Sequence, residues 1–457
     1  MSLRPLVFVA MPFGSKPDPT RTVTIDFDAI YERAIKPALA RFDVDAIRAD
    51  EERTGGVIHL SMFERLLLAE VAVVDVTIDN ANVFYELGVR HAARPGTTII
   101  TSGKDGGLPF DIAMLRAIPY RLTDGVLTAE SAAAFAEALA GRVADALERS
   151  AAADSPLFQL IPGFPGIALP RDYQSTFRDR ADELRRLRER LEAARLLAGS
   201  ARTEAIAAVD RDLGAIGADD LEPVIDVLAA YRDDSTPAAF DALIALVERI
   251  PQSLRRANAK VHQYYAFALN RRNVGSDRER AVAVLEALVA TESPSSETAG
   301  LMARIYKDRF AETRVADPFL AAGYLQQAIE WYRRGFLADP REYYPGVNLC
   351  TLLAIDGGAE ALAELRRTLP AVVFAVGRLG GIASTDYWVV ASAFELAVAG
   401  NDWAVAMHAL SRMRTLARTQ PWMLASTANN LRLLYDAAPQ SVDAKNLEGA
   451  LRSLAAG

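Results

Sequence analysis

The chain has 457 residues, room for two to four domains at roughly 150 residues each. Hydrophobic residues make up 51% and charged residues 24%, a balance that excludes a disordered chain. With 51 Lys and Arg against 59 Asp and Glu, the net charge of -8 excludes broad nucleic-acid binding, which needs a basic face, but leaves room for a small nucleotide in one pocket.

From Leu6 to Leu122 short apolar runs alternate with helical periods. Leu6–Ala10 has no polar face, as expected of a parallel strand buried on both sides. Phe27–Phe42 has helical spacing, with Phe27, Ile30, Ala34 and Ile35 on one side, and Val44–Ile47 reads as a second strand. Thr54-Gly55-Gly56 turns the chain, Ile58–Leu68 is a helix, Val71–Val76 a strand and Val83–Ala93 a helix. Thr97–Thr101 and Ile118–Leu122 are strands, and Ala129–Leu147 is a closing Ala-rich helix. This alternation predicts βαβ units and a flavodoxin-like, mainly parallel sheet over residues 1–150, with ligands beyond the carboxyl ends of its strands.

Residues 151–171 read as a linker. The density of Pro156, Pro162, Gly163, Pro165, Gly166 and Pro170 argues against regular structure, while Leu157, Phe158 and Phe164 suggest that it lies against a domain. Residues 172–457 read as an all-α region. Asp172–Leu197, rich in Arg, Glu and Asp at three- and four-residue spacing, reads as a solvated face with ion pairs. Ala328, Tyr332, Gly335 and Pro340 follow the second-helix spacing of a tetratricopeptide repeat, and Met302, Ala303 and Tyr306 fit its first helix, with an insertion at Ala311–Leu320 between them. Asp386–Ala399, the turn Gly400-Asn401-Asp402 and Trp403–Leu416 form another hairpin.

Arg outnumbers a scarce Lys throughout, a coding bias that leaves Arg runs little functional weight. The sole cysteine, Cys350, excludes a disulfide framework and a thiolate metal cage, and fits a reducing, cytoplasmic setting. No signal peptide is expected at Met1–Ala10, and Leu369–Val376 is far short of the ~20 apolar residues of a spanning helix. Neither His59 nor His91 has metal-ligand spacing, so no metal is expected.

Candidate chemistry clusters where strands end or helices begin. Met11, Pro12, Phe13 and Gly14 leave the first strand, and the glycine would let backbone N–H groups approach a phosphate or sugar, or serve as a plain turn. Arg48 and Asp50, at the end of the second strand, would read a base or phosphate, or pair with each other. Asp75 would hold ribose hydroxyls, or accept N–H bonds from the Thr77–Asn80 turn. Asn80 and Asn82 suit a helix start, and Glu86 follows in the first turns, where the helix dipole keeps a carboxylate ionised near neutral pH. An ionised carboxylate in a cleft can attack an anomeric carbon, or simply stabilise its helix N-terminus.

Val7-Phe8-Val9-Ala10-Met11-Pro12-Phe13, Asp75-Val76-Thr77 and Asn82-Val83-Phe84-Tyr85-Glu86-Leu87-Gly88-Val89-Arg90-His91-Ala92 resemble the nucleoside 2-deoxyribosyltransferase-like superfamily, related to Toll/interleukin-receptor (TIR) domains that cleave NAD. That resemblance implies Glu86 as nucleophile. The order of an α/β domain, a Ser155–Phe158 linker and tetratricopeptide-like helices resembles the amino-terminal half of apoptosis signal-regulating kinases, whose helical part is called the TRAF-binding domain. Tyr343-Tyr344-Pro345-Gly346-Val347-Asn348 and Asp386-Tyr387-Trp388 look like parts of it. Bacterial versions of this architecture imply conflict or antiviral signalling. No kinase domain is expected here, so phosphoryl transfer is not carried over.

Two functions are expected from these readings. The first is an N-glycosidase acting on a nucleoside, nucleotide or NAD, with Glu86 and Asp75 catalytic, Met11–Gly14, Arg48, Asp50, Asn80 and Asn82 lining the pocket, and no separate cofactor. The second is a non-catalytic nucleotide sensor or protein-interaction scaffold, in which the helices present a surface to a protein partner or a second copy.

Overall fold

A computed structural model describes residues 4–18, 23–48, 66–103, 108, 110–148, 154–166, 183–184, 186–217, 221–256, 258–290, 293–418, 422–436 and 444–455. Internal contacts divide the chain into Met1–Ala193 and Ala194–Gly457. Asp50, His59, the turn at Thr54–Gly56 and most of the expected Ile58–Leu68 helix lie outside the described residues.

In the first unit the order is β1 (Leu6–Ala10), β2 (Ser15–Pro17), β3 (Thr24–Asp26), a helix α1 (27–39), β4 (Asp45–Arg48), β5 (Val71–Asp75), α2 (Ala81–Ala93), β6 (Thr98–Ser102), β7 (Ala117–Pro119) and α3 (Ala129–Leu147). Five strands form a parallel sheet in the order β4-β1-β5-β6-β7. The chain therefore steps outward from β1 in both directions, and the reversal lies between β1 and β5. Every residue of β1 is buried. Val7 and Val9 pack with Phe27, Ile30 and Phe135, and Leu6, Phe8 and Ala10 with Val83 and Leu87. One strand thus feeds two cores, which is why it carries no polar face, and burying Phe8 completely is worth about 1.5–3 kcal/mol.

Sequence and structure differ at three places in this unit. A two-stranded antiparallel ribbon, β2 against β3, interrupts the expected β1 to α1 connection. The helix runs Phe27–Ile30, a π-turn Tyr31–Ile35 and Lys36–Leu39, ending before Phe42. Most instructive is the linker, which contains a short helix α4 (Pro156–Leu160). Pro156 occupies a first-turn position, where its missing N–H costs nothing and its fixed φ favours the helix. The segment does lie against its unit: Ser155 Oγ donates to the His91 carbonyl at 2.7 Å, and Asp154 Oδ2 accepts from the Thr98 N–H at 2.9 Å.

The second unit is helical: α5 (Ser200–Asp212), α6 (Leu221–Asp234), α7 (Pro237–Arg249), α8 (Gln252–Arg256), α9 (Ala259–Arg272), α10 (Asp277–Val289), α11 (Ser296–Thr313), α12 (Pro318–Ala338), α13 (Tyr343–Asp356), α14 (Ala359–Gly377), α15 (Tyr387–Ala399), α16 (Trp403–Leu416), α17 (Trp422–Asp436) and α18 (Ala444–Ala455). From α6 onward the helices pair as hairpins, α6 with α7, α9 with α10, and so on to α17 with α18, and the first helices of successive pairs touch one another. Ala328 and Tyr332 are fully buried. Gly335 brings α12 so close that a Cβ there would stand 3.2 Å from Pro345 and 3.3 Å from Ala299. The expected insertion between Ala311 and Leu320 is instead helix: α11 runs on to Thr313 and α12 starts at Pro318, so both helices are simply long. Among the described residues no helix is long and apolar enough to cross a membrane.

Candidate functional site

The parallel register brings the ends of β1, β4 and β5 to one edge, with Val9 opposite Arg48 and Ala10 opposite Val74. At the end of β5, Asp75 is fully buried. Its Oδ1 accepts from the Thr77 N–H at 3.1 Å, and its Oδ2 accepts from Thr101 Oγ1 at 2.8 Å and Tyr120 OH at 2.9 Å. Tyr120 OH also lies 2.6 Å from Thr77 Oγ1, which accepts from the Gly103 N–H at 2.8 Å. A phenol has one proton, and Tyr120 gives it to Asp75, so Thr77 must donate to Tyr120. A single polarised chain runs Gly103 to Thr77 to Tyr120 to Asp75, and every member is satisfied. Burial pushes the Asp75 carboxyl up, and the hydrogen bonds from Thr77, Thr101 and Tyr120 oppose it. Of the two roles expected for Asp75, the structure displays acceptance from its own turn.

The first-strand exit is also tied internally. Met11 and Pro12 are buried, Phe13 is exposed, and Gly14 has φ +64°, a left-handed conformation that suits glycine. Its N–H, expected to be free for a ligand, donates to Asp28 Oδ1 at 3.1 Å. The same oxygen pairs with Arg48 at 3.0 Å, and the Arg48 guanidinium lies over the Tyr31 ring at 4.5 Å. The ion partner shown for Arg48 is Asp28, in the first turn of α1, and the expected pairing with Asp50 lies outside the described residues. Asp28 was missed by sequence reasoning. Its signal was an acid in the first turn of α1, where it offsets the helix dipole.

Asn80 caps α2, accepting from the N–H groups of Asn82 at 3.0 Å and Val83 at 3.4 Å, while the Asn82 side chain is exposed. Glu86 is buried and has no hydrogen-bond or ion partner among the described residues. Burial pushes its carboxyl up to about 7, with no compensating donor among the described residues, so the group is only partly ionised near neutrality, where the helix dipole alone was expected to keep it charged. His91, on the same helix, is held down to about 4 by burial and the neighbouring Arg90 charge, so it is neutral. Arg90 is the largest fully buried side chain of the described residues. It donates to the carbonyls of Leu66 and Ala69, both at 2.7 Å, and of Glu70 at 3.3 Å, and to Thr97 Oγ1 at 3.0 Å. It clamps the segment entering β5. The run Gly88-Val89-Arg90-His91 had drawn attention only through its resemblance.

The second unit carries a different site. The end of α6, α9, the entry to α11, α11 itself and the start of α13 enclose an open groove of about 1170 Å3. Arg232, Arg271 and Arg304 line it together with Tyr264, Phe267 and Tyr344. Treating arginines as coding bias hid this groove in the sequence, although the three lie on first helices of successive hairpins.

The sequence model of the MAP3K TRAFs-binding domain matches residues 83–450, four-fifths of the chain. The chain belongs to that family. The MAP3K TRAFs-binding match begins at Val83 and ends at Ala450, so it takes in the Val83–Gly88 block, most of α2 and the row of hairpins as far as the middle of α18. Nsy-1 of Caenorhabditis elegans, a mitogen-activated protein kinase kinase kinase, is 34% identical over 219 residues, which is 46% of this chain and 14% of that protein. Mitogen-activated protein kinase kinase kinase 15 of Mus musculus is 34% identical over 217 residues, 46% of this chain and 16% of the relative. Kinase kinase kinase 6 of Homo sapiens is 26% identical over 388 residues, 80% of this chain and 29% of the relative. The chain thus spans less than a third of the length of these curated relatives. The kinases matched here lend no support to a glycosidase or a TIR-like enzyme.

Proposed function

We propose that the chain is a protein-interaction scaffold whose helical hairpins, tetratricopeptide-like in their packing, recruit a TRAF-type protein partner. The observation that carries this reading is the match of the MAP3K TRAFs-binding domain over residues 83–450. Rows of helical hairpins bury their own core and leave an extended face for a partner, and the arginine-lined groove is such a face. We read the α/β unit as flavodoxin-like from its strand order. Binding of a purified TRAF protein to the immobilised full chain tests the proposal. Saturable binding is expected, and its absence across TRAF proteins removes the reading.

One observation favours a second reading, the base–sugar cleavage of a nucleoside, nucleotide or NAD. Glu86 is a buried carboxyl without a partner among the described residues, on the helix that follows β5 and its last residue Asp75. Asn80 and Asn82 would frame a ligand there, and Asp75 would have to exchange an internal hydrogen bond to hold a ribose hydroxyl. Incubation with NAD and nucleosides, monitored for free base, decides it. Release abolished by Glu86→Gln is expected for an enzyme, and equal release from both proteins ends the reading.

A further inference from the structure

In the helical groove the ion pairs are distributed unevenly. Arg232 is held by Asp233 at 2.9 Å and stacks over Tyr264 at 5.1 Å. Arg304 is held by Asp308 at 2.9 Å. Among the lining carboxylates, Glu297 pairs with Lys260 at 2.7 Å and Asp339 with Arg341 at 2.9 Å. Arg271 has no such partner among the described residues. Its guanidinium lies over Phe267 at 5.4 Å, and the charges that act on it are those of Arg304 and, more weakly, of Asp308, which Arg304 already holds. Burial and then Arg304 depress the Arg271 pKa, with Asp308 opposing them, so the two guanidinium groups share a single carboxylate here.

We propose that this groove docks an extended acidic peptide segment, with a carboxylate side chain received between Arg271 and Arg304 and an adjacent apolar side chain resting on Leu301 and Pro345. The proposal rests on the reading of this unit as a protein-interaction scaffold. A planar guanidinium matches a carboxylate in two parallel hydrogen bonds, and an anion between two of them removes their mutual repulsion. The groove exceeds the roughly 300–1000 Å3 of small-molecule pockets and is open, which suits a length of chain rather than an enclosed metabolite. Its other lining cation is already neutralised. Glu342, the lining carboxylate with no ion pair shown, sets a limit on how much negative charge the groove accepts.

Fluorescence anisotropy on the full chain tests this, with a fluorescein-labelled octapeptide of alternating leucine and glutamate and its glutamine counterpart as probes. The acidic peptide is expected to bind, to weaken with added salt, and to bind roughly tenfold or more tighter than the glutamine peptide. Arg271→Glu should weaken it roughly tenfold or more without lowering the melting temperature, and Glu342→Gln should tighten it. No binding of the acidic peptide, equal binding of the two peptides, or undiminished binding to Arg271→Glu overturns the proposal. So does Arg271-dependent capture of inorganic polyphosphate with no peptide bound. A TRAF protein binding wild type and Arg271→Glu alike, while the peptide is lost, upholds both the groove and the scaffold reading on separate faces. A wild type that binds peptide but no TRAF protein upholds the groove alone.

Discussion

The strand end of the α/β unit and the groove of the helical unit treat their polar groups differently. In the α/β unit, the carboxylate at the end of β5 spends its acceptors on Thr77, Thr101 and Tyr120, and the Gly14 N–H and Arg48 converge on Asp28. In the helical unit the deep interior is similarly closed: Lys307 Nζ donates to Asn348 at 2.8 Å and Asn430 at 3.2 Å, and Asn430 reaches Glu395 at 3.1 Å. Its groove is different, because there Arg271 and Arg304 share the one carboxylate of Asp308. Strand-end position is where ligands of such sheets are generally found, but position is only a prior. Accounting for donors and acceptors tests it: at the end of β5 they are met internally, whereas Glu86 on α2 and Arg271 in the helical groove each lack a hydrogen-bonded or ion-paired partner among the described residues.

The sharpest way to break this contrast is Arg90→Met. If the α/β unit is organised from inside, removing the buried guanidinium strands the carbonyls of Leu66 and Ala69, at a cost of about 2–5 kcal/mol. All four tryptophans, Trp331, Trp388, Trp403 and Trp422, belong to the second unit. Tryptophan fluorescence therefore follows that unit, while calorimetry follows both. The expected result is a calorimetric transition that moves down well ahead of the fluorescence midpoint. A loss below about 0.5 kcal/mol would mean that the clamp is ornamental.

Next in size is a pH effect at α2, where two buried groups act with opposite sign. Glu86 has its carboxyl raised from 4.5 to about 7 in the folded chain. Below pH 4.5 both folded and unfolded forms keep the proton. As pH rises toward 7 only the unfolded form releases it, so stability falls and then levels off. Glu86→Gln removes this penalty and should gain up to about 3 kcal/mol on wild type at pH 8, and little of it at pH 4. His91, lowered from 6.5 to about 4, works the other way. As pH drops below 6.5 the unfolded imidazole takes a proton that the folded one refuses, so stability falls toward pH 4, and His91→Asn should flatten that limb. Denaturant titrations at pH 4, 6 and 8 read both. A Glu86→Gln advantage that is the same at every pH would show that the carboxyl is not desolvated.

Periodicity and breakers made the strand and helix sequence legible, because a strand buried on both faces cannot carry polar residues and Leu6–Ala10 has none. The bounds of α3 and of the Trp403–Leu416 helix follow from caps, Thr128 and Asp402 accepting from backbone N–H groups three residues on. Composition misled at Pro156, where proline starts a helix instead of preventing one. The site was less legible, since charge state depends on partners that lie far away in sequence. Nothing near Glu86 in the chain announces that its surroundings are dry, and nothing near Arg48 names Asp28. Arg90 needed the fold to reveal four acceptors spread from Leu66 to Thr97.

The smallest expected effect is the most telling for the comparison. Arg271→Gln keeps a side chain of similar length and removes the charge from a residue that holds no carboxylate among the described residues. If the groove awaits an external anion, the free protein loses a weaker attraction to Asp308 together with a larger repulsion from Arg304, so stability should stay within about 0.5 kcal/mol of wild type or rise slightly. A denaturant midpoint lowered by the equivalent of about 2 kcal/mol would mean instead that Arg271 supports the fold through Phe267, as Arg90 supports the sheet through its carbonyls. The two units would then follow one rule, with all their buried charge spent on their own architecture.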